Sequence, residues 1–338
     1  MVASFVLIHA MVELTFMKTL FVRLLISLAL LGTVFLFLAP HVRPDDIRQA
    51  LASFSWSVLF SAFLLSLLVS FMKAARFHLL THRIGLRISF FQSCKVFFSS
   101  QAATPLPGGE TVRALLLKKE MHAHAIDAAG PVLTQAIIEL IAAVAIVLAG
   151  SFFYPSVRWI AVLLLLLLVP LIVFMFYPIG AKYFLGWIMP WKRSHPWITK
   201  LLNMQDDIHT MMTPRHGTIP VFSISVIGLA FIADAIGALL ILLLSNRLGL
   251  AVHFFDALYL YTTSVAISGL LWVIPGGLGV TEGGMLGLLH LMHAPVGKAI
   301  SLVVIFRVAT LLFPVVLGLV VLILFYGRSW LVDAHRHT

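Results

Sequence analysis

Two ionisable side chains, Glu139 and Arg307, stand at matching depths inside two apolar segments of this chain. With Pro107 aligned to Pro275 the two coincide, each about eleven residues into its helix and roughly 16 Å deep at 1.5 Å per residue. A charge near a bilayer midplane costs about 2.5–3.5 kcal/mol on insertion scales, so it faces a partner or a wet cavity. Two roles are open for the pair. It is either a salt bridge joining two halves of the molecule or a contact for a charged solute. An attraction of about 4 kcal/mol at 4 Å in an effective dielectric near 20 would offset much of the insertion cost.

Two glycine-rich breaks supply the other chemistry. Pro107-Gly108-Gly109-Glu110-Thr111-Val112-Arg113 interrupts one apolar run, and Pro275-Gly276-Gly277-Leu278-Gly279-Val280-Thr281-Glu282 interrupts another. A helix that starts there aims unpaired N–H groups and a partial positive charge at its tip, a ready anion site at Gly108, Gly109, Gly276 and Gly277. Arg113 matches a phosphate by bidentate geometry, or else snorkels to an interface. Glu110 either complements the dipole of its half-helix or meets the anion's counterpart. Glu282 has three options: capping its half-helix, pairing with Arg307, or carrying a proton. Lys95 is expected to snorkel, and Asp234 is a weaker candidate for the same functions.

Other reactive types carry little. His122, His124, His290 and His293 lack the acidic or cysteine partners of a metal site. Gly-x-Ser-x-Gly, Walker and Cys-x-x-Cys patterns are absent from the sequence, which leaves hydrolase, ATPase and redox readings without support. The lone Cys94 excludes an intrachain disulfide and reads as a small core residue. No catalytic residue, metal or cofactor is expected.

The elements that hold these residues repeat. Arg83-Ile-Gly-Leu-Arg-Ile-Ser-Phe-Phe91 and Arg247-Leu-Gly-Leu-Ala-Val-His-Phe-Phe255 each lead through an apolar segment into Pro-Gly-Gly. Proline and glycine break the helix at that point. Residues 110–120 then make only about 16 Å of helix, half of a bilayer core of roughly 30 Å, which favours re-entrant hairpins over spans. The predicted fold is an all-α polytopic membrane domain over 1–338. Its spans are placed at 19–39, 55–77, 128–152, 158–178, 219–245 and 296–326. An N-terminal helix and loop fill 1–54, and repeat 1 fills 55–152 with a hairpin at 90–120. A linking helix and basic loop occupy 153–218, repeat 2 occupies 219–326 with a hairpin at 255–293, and 327–338 is a tail.

Composition agrees, with 61% of 338 residues hydrophobic and 11% charged, which no soluble core can hide. The net charge of +10 is ordinary for basic cytoplasmic loops and does not point to nucleic acid. Lys18 and Arg23 precede an uncleaved first helix. With both hairpins re-entrant and both termini cytoplasmic, the inside collects most basic residues, including Lys73, Arg76, Arg113, Lys118, Lys119 and the 179–218 loop. Full crossing would move that loop outside, against the positive-inside rule. The two repeats then run in opposite directions, an inverted repeat of the kind found in alternating-access transporters.

The pattern Arg76, Gly85, Phe90-Phe91, Pro107-Gly108-Gly109-Glu110, Arg113, Leu115-Leu116, then Pro275-Gly276-Gly277-Leu278-Gly279-Val280, Glu282 and Arg307 resembles a known family. It is similar to the transmembrane flippase domain of lysylphosphatidylglycerol synthase and to stand-alone bacterial inner-membrane proteins sharing that domain. The resemblance implies movement of lipids between leaflets and carries Glu110, Arg113, Glu282 and Arg307 over as site residues. The synthase adds a soluble aminoacyl-transferase domain that is not found here, so the lipid is expected to be made elsewhere or to differ.

The expectation is a flippase of the bacterial cytoplasmic membrane acting on a phospholipid or a polyprenyl-phosphate lipid. Arg113 and Arg307 hold the headgroup, and Glu110, Glu139 and Glu282 balance charge. Movement is downhill or ion-coupled, with Glu282 or Glu139 as proton carriers. The alternatives are a membrane enzyme that modifies a lipid headgroup, and a non-transporting partner of a lipid-synthesis or glycosyl-transfer enzyme that binds through the 179–218 loop.

Overall fold

The computed structural model describes residues 45, 52, 54–83, 85–105, 109–121, 125–154, 158–176, 219–270, 277 and 279–336. The expected first span at 19–39, the basic loop, Pro107, Gly108, Pro275, Gly276, His122 and His124 lie outside these. Every regular element among the described residues is helical.

Helix α1 runs Trp56–Arg83, α2 Phe90–Gln101, α3 Glu110–Met121 and α4 Ala125–Gly150. Helix α5, Arg158–Phe176, follows. Then come α6 Ile219–Arg247, α7 Phe254–Leu270, α8 Val280–Leu291 and α9 Val296–Arg307, continued through a wide π turn, Val308–Leu312, into α10 Phe313–Arg336. Among the described residues, four stretches are long and apolar enough to cross a membrane: Trp56–Arg83, Gly130–Gly150, Ile224–Arg247 and Val296–Gly327.

The sequence repeat is a repeat of structure, down to single hydrogen bonds. Helices α1 and α6 both end on a left-handed glycine, Gly85 (φ 86°) and Gly249 (φ 60°). After each, a leucine N–H reaches back five residues, Leu86 to Thr81 and Leu250 to Ser245, which is the Schellman closure of a helix end. A tight turn follows in both, Ile88 to Leu86 and Val252 to Leu250. The next helix opens on matched back-bonds, the Ser89 N–H donating to Gln92 Oε1 at 2.9 Å and the His253 N–H to Asp256 Oδ2 at 2.8 Å. A side chain at the third helical position thereby satisfies an otherwise orphaned donor.

Packing crosses between the repeats. Helices α1 and α6 form the most extensive pair, and each short helix that follows them packs on the last long helix of the other repeat, α2 on α10 and α7 on α4. Glycines permit both crossings. A Cβ on Gly318 would stand 2.5 Å from Ala102 N and 2.7 Å from Phe98 O, and one on the aligned Gly150 would meet the Tyr259 ring. Two large hydrophobic cores result, beside a smaller cluster of Leu80, Ile138, Ala142, Val226 and Ala230. One joins Phe77, Phe97 and Leu117 with Tyr326 of α10, and the other joins Leu140 and Val147 of α4 with Tyr259, Met285 and Phe306.

Helix α1 has its polar side inward. Trp56, Phe60, Leu64, Leu68 and Phe71 form an exposed apolar stripe suited to lipid. Ser66, Ser70, Arg76 and Thr81 are buried on the opposite side, the arrangement in which polar side chains join membrane helices. Ser66 Oγ donates to Ala309 O at 2.6 Å. In the wide-turn register that carbonyl would be served by residue 314, and Pro314 has no N–H to give.

Candidate functional site

The charged cluster is built on repeat 1. Glu139, on α4, accepts from Lys73 Nζ at 3.0 Å, from Arg76 Nη2 and from Gln135 Nε2 at 3.2 Å. Lys73 and Arg76 come from α1, three residues apart, so both reach the same side of the helix. Gln135 Oε1 accepts from Arg113 Nη1 at 3.4 Å, and Arg113 Nε donates to Ser100 Oγ at 3.1 Å. The result is one chain of contacts, Lys73–Glu139–Gln135–Arg113–Ser100, linking α1, α4, α3 and α2.

Arg113 is 6% exposed, and its guanidinium carbon sits 4.5 Å from the centre of the Phe97 ring and 5.7 Å from that of Phe77. Its hydrogen-bond partners among the described residues are the neutral Ser100 and Gln135. Arg76 is wholly buried, and its Nε and Nη1 find no acceptor among the described residues. Three cations thus surround the single carboxylate of Glu139.

A cavity of about 170 Å³ opens beside this cluster. Lys73, Arg113, Glu139, Gln135 and Glu110 line it from repeat 1, and Gly237, Leu240, Tyr261, Thr310 and Pro314 from repeat 2. Glu110 opens α3 and is exposed, which places it at the rim. A space of this size holds several waters or one phosphate-sized anion, and its walls offer cationic donors and hydroxyls.

Repeat 2 spends its charges differently. Arg307 Nε pairs with Glu282 Oε1 at 2.5 Å, and Glu282 Oε2 accepts the N–H of Gly279 at 2.7 Å at the start of α8. Glu282 therefore takes two of its three expected roles together, cap and ion partner. Gly277 (φ 61°) packs against Ser268 and Thr281, and Gly279 (φ 80°) sits in the same short turn. Gly109 is buried directly before α3.

Several expectations are corrected. Glu139 does not pair with Arg307; each finds its partner elsewhere, because α1 lies closer to Glu139 and α8 closer to Arg307 than the two lie to each other. Neither Arg307 nor Glu282 lines the cavity. Lys95 pairs with Glu120 at 2.5 Å and lies 5.2 Å from the centre of the Tyr326 ring. Arg76 and Arg113, counted as cytoplasmic charges, are buried, and Lys73, counted with them, is partly buried on the cavity wall: α1 runs on past both of its cations to Arg83.

Sequence reasoning missed Lys73, Arg76, Gln135 and Tyr261. The signal available was Ser66, Ser70 and Lys73 at helical spacing, a polar stripe inside an apolar helix.

A search of curated proteins finds no match for this chain. The family model described as the lysylphosphatidylglycerol synthase TM region matches residues 21–318. Together with its long apolar helices, that match marks a multi-pass membrane protein. With most of its length matched, the chain belongs to the family of the lysylphosphatidylglycerol synthase TM region.

Proposed function

We propose that the protein moves a phospholipid, or a related polyprenyl-phosphate lipid, between the leaflets of the bacterial cytoplasmic membrane. The observation that carries this reading is the cavity between the two repeats, walled by Lys73, Arg113 and Glu139 within apolar helices. Charges in such a place mark a substrate pathway more often than a scaffold. A headgroup phosphate fits the cationic donors there, while its acyl tails stay in lipid. In this reading six spans frame two re-entrant hairpins, α2–α3 and α7–α8, inserted from opposite faces, with both termini cytoplasmic. The family membership and the matched element order of the two repeats support it.

The test is leaflet exchange in liposomes containing the purified protein and a panel of labelled lipids differing in headgroup, with and without a proton gradient. Exchange of at least one phosphate-bearing lipid is expected to exceed that of protein-free liposomes. No acceleration for any lipid by folded protein overturns the reading. A headgroup-modifying enzyme would instead yield a chemically altered lipid in the same assay.

A further inference from the structure

Among the described residues, Glu120, Glu139 and Glu282 are each partly buried in the helix bundle, and all three are in ion pairs. Glu139 holds Lys73, Arg76 and Gln135, and Glu282 holds Arg307 and the Gly279 N–H. Asp234 is the exception. It sits near the middle of α6, roughly 22 Å from its start at 1.5 Å per residue, and is 7% exposed. Its Oδ2 accepts no hydrogen bond from any described residue.

Gly237, three residues after Asp234 on the same helix, lines the cavity, and the ionisable groups set around Asp234 by the packed helices are Glu139 from α4, Lys73 and Arg76 from α1, and Tyr261 from α7. Helix α9, which also packs on α6, commits Arg307 to Glu282 and places Lys298 beside Gly249, at the far end of α6. A buried acceptor without a donor and the buried Arg76 nitrogens without an acceptor therefore share one neighbourhood and leave each other unbonded. A buried acceptor left without a donor is costly to keep.

Charge balance gives this a use. Protonation of Asp234 adds one positive charge to the cluster of Lys73, Arg76, Arg113 and Glu139, and entry of a phosphodiester removes one. Taken together the two events leave the interior charge unchanged, which is the least costly way to bring an anion into a low-dielectric site.

We propose that Asp234 takes up a proton from water when the headgroup phosphate of a phospholipid enters the cavity, and returns it when the phosphate leaves. The inference rests on the lipid-transport reading and adds its ion coupling. No covalent bond changes; the proton moves from water to a carboxylate oxygen and back. Asp234 is thus a coupling residue that senses the lipid through the cluster.

The experiment is calorimetric titration of the purified full-length protein in detergent with short-chain phosphatidylglycerol, in two buffers of different ionisation enthalpy at pH 7. The wild type is expected to take up a fraction of a proton per lipid at pH 7, approaching one as pH rises, where affinity falls up to about tenfold per pH unit, and Asp234→Asn to bind without uptake or pH dependence. Saturable binding with no proton uptake in the wild type, or undiminished uptake in Asp234→Asn, overturns the proposal and leaves the lipid reading standing. Absence of phosphatidylglycerol binding overturns the proposal, while the leaflet-exchange panel decides the lipid reading separately. Equal uptake with inorganic phosphate alone overturns the lipid assignment of the site. Should Asp234→Asn fail to fold, infrared difference spectra of the wild type decide. A protonated-carboxyl band must appear on lipid addition and shift in Asp234→Glu, and its absence overturns the proposal.

Discussion

The two repeats share a backbone plan and divide the chemistry. Where repeat 1 has Ser70, Lys73 and Arg76 on α1, the aligned positions of α6 are Asp234, Gly237 and Leu240. Where α4 has Gln135 and Glu139, the α9 side has Val303 and Arg307. Repeat 1 thus gathers three cations around Glu139 beside a cavity, while repeat 2 pairs Arg307 with Glu282 away from it and lines the same space with uncharged side chains, among them the hydroxyls of Tyr261 and Thr310. Duplication supplied the frame, and divergence at a few interior positions made one half a charged wall and the other its uncharged counterpart. Symmetry of fold does not require symmetry of site.

The sharpest way to break this comparison is to disrupt each ion pair and ask what is lost. Arg307→Met strands Glu282, 12% exposed, and is expected to cost about 3–5 kcal/mol of stability, as for a buried pair deprived of one partner. Adding Glu282→Gln removes the stranded charge and keeps an acceptor for Gly279, so the double variant recovers most of that loss. Lipid binding by the double variant stays near the wild-type value. Thermal unfolding and lipid titration of the four proteins in this cycle measure both terms. A double variant that is stable but no longer binds lipid would place the Glu282–Arg307 pair in the site after all.

Arg113 gives the converse, a loss of binding with little loss of fold. Its contacts are the neutral Ser100 and Gln135, so Arg113→Gln strands no carboxylate. A charged hydrogen bond is worth about 1.5–3 kcal/mol, so headgroup affinity is expected to fall roughly 10- to 100-fold. Leaflet exchange should fall with it, while the unfolding midpoint moves little. Arg113→Lys recovers only part of the loss, since a lysine cannot bind phosphate through a planar fork. Unchanged exchange in a folded Arg113→Gln protein removes repeat 1's claim to the headgroup.

Much of the frame was legible in the sequence because it depends on local chemistry. The Arg-x-Gly-Leu copies announce helix ends, Pro-Gly-Gly announces breaks, and apolar length announces candidate spans. The partners of the interior charges were not legible. Glu139 and Arg307 share a depth, but depth fixes one coordinate of three, and the helix that brings Lys73 and Arg76 to Glu139 is separated from it by more than fifty residues of chain. Charge counting failed for Lys73 and Arg76 for a related reason. A positive residue near the end of an apolar run reads as a loop charge until the helix is seen to continue to Arg83. Glu282 was nearest to legible, because a helix cap is set by sequence neighbours alone.

The smallest expected effect tests the shared frame itself. Gly85 and Gly249 both hold the left-handed conformation that closes a helix end, where a side chain costs about 1–2 kcal/mol. Space is not the obstacle at either position. A Cβ at Gly85 would meet nothing within 4 Å, and one at Gly249 only Lys298 Nζ at 3.5 Å. Gly85→Ala and Gly249→Ala should therefore destabilise the protein by similar amounts, about 1 kcal/mol each, and leave headgroup affinity untouched in both. Denaturant titrations of the two variants side by side give the answer. If Gly85→Ala also weakens lipid binding while Gly249→Ala does not, the turn after α1 belongs to the site as well as to the frame, and the boundary between shared scaffold and diverged chemistry moves outward to include it.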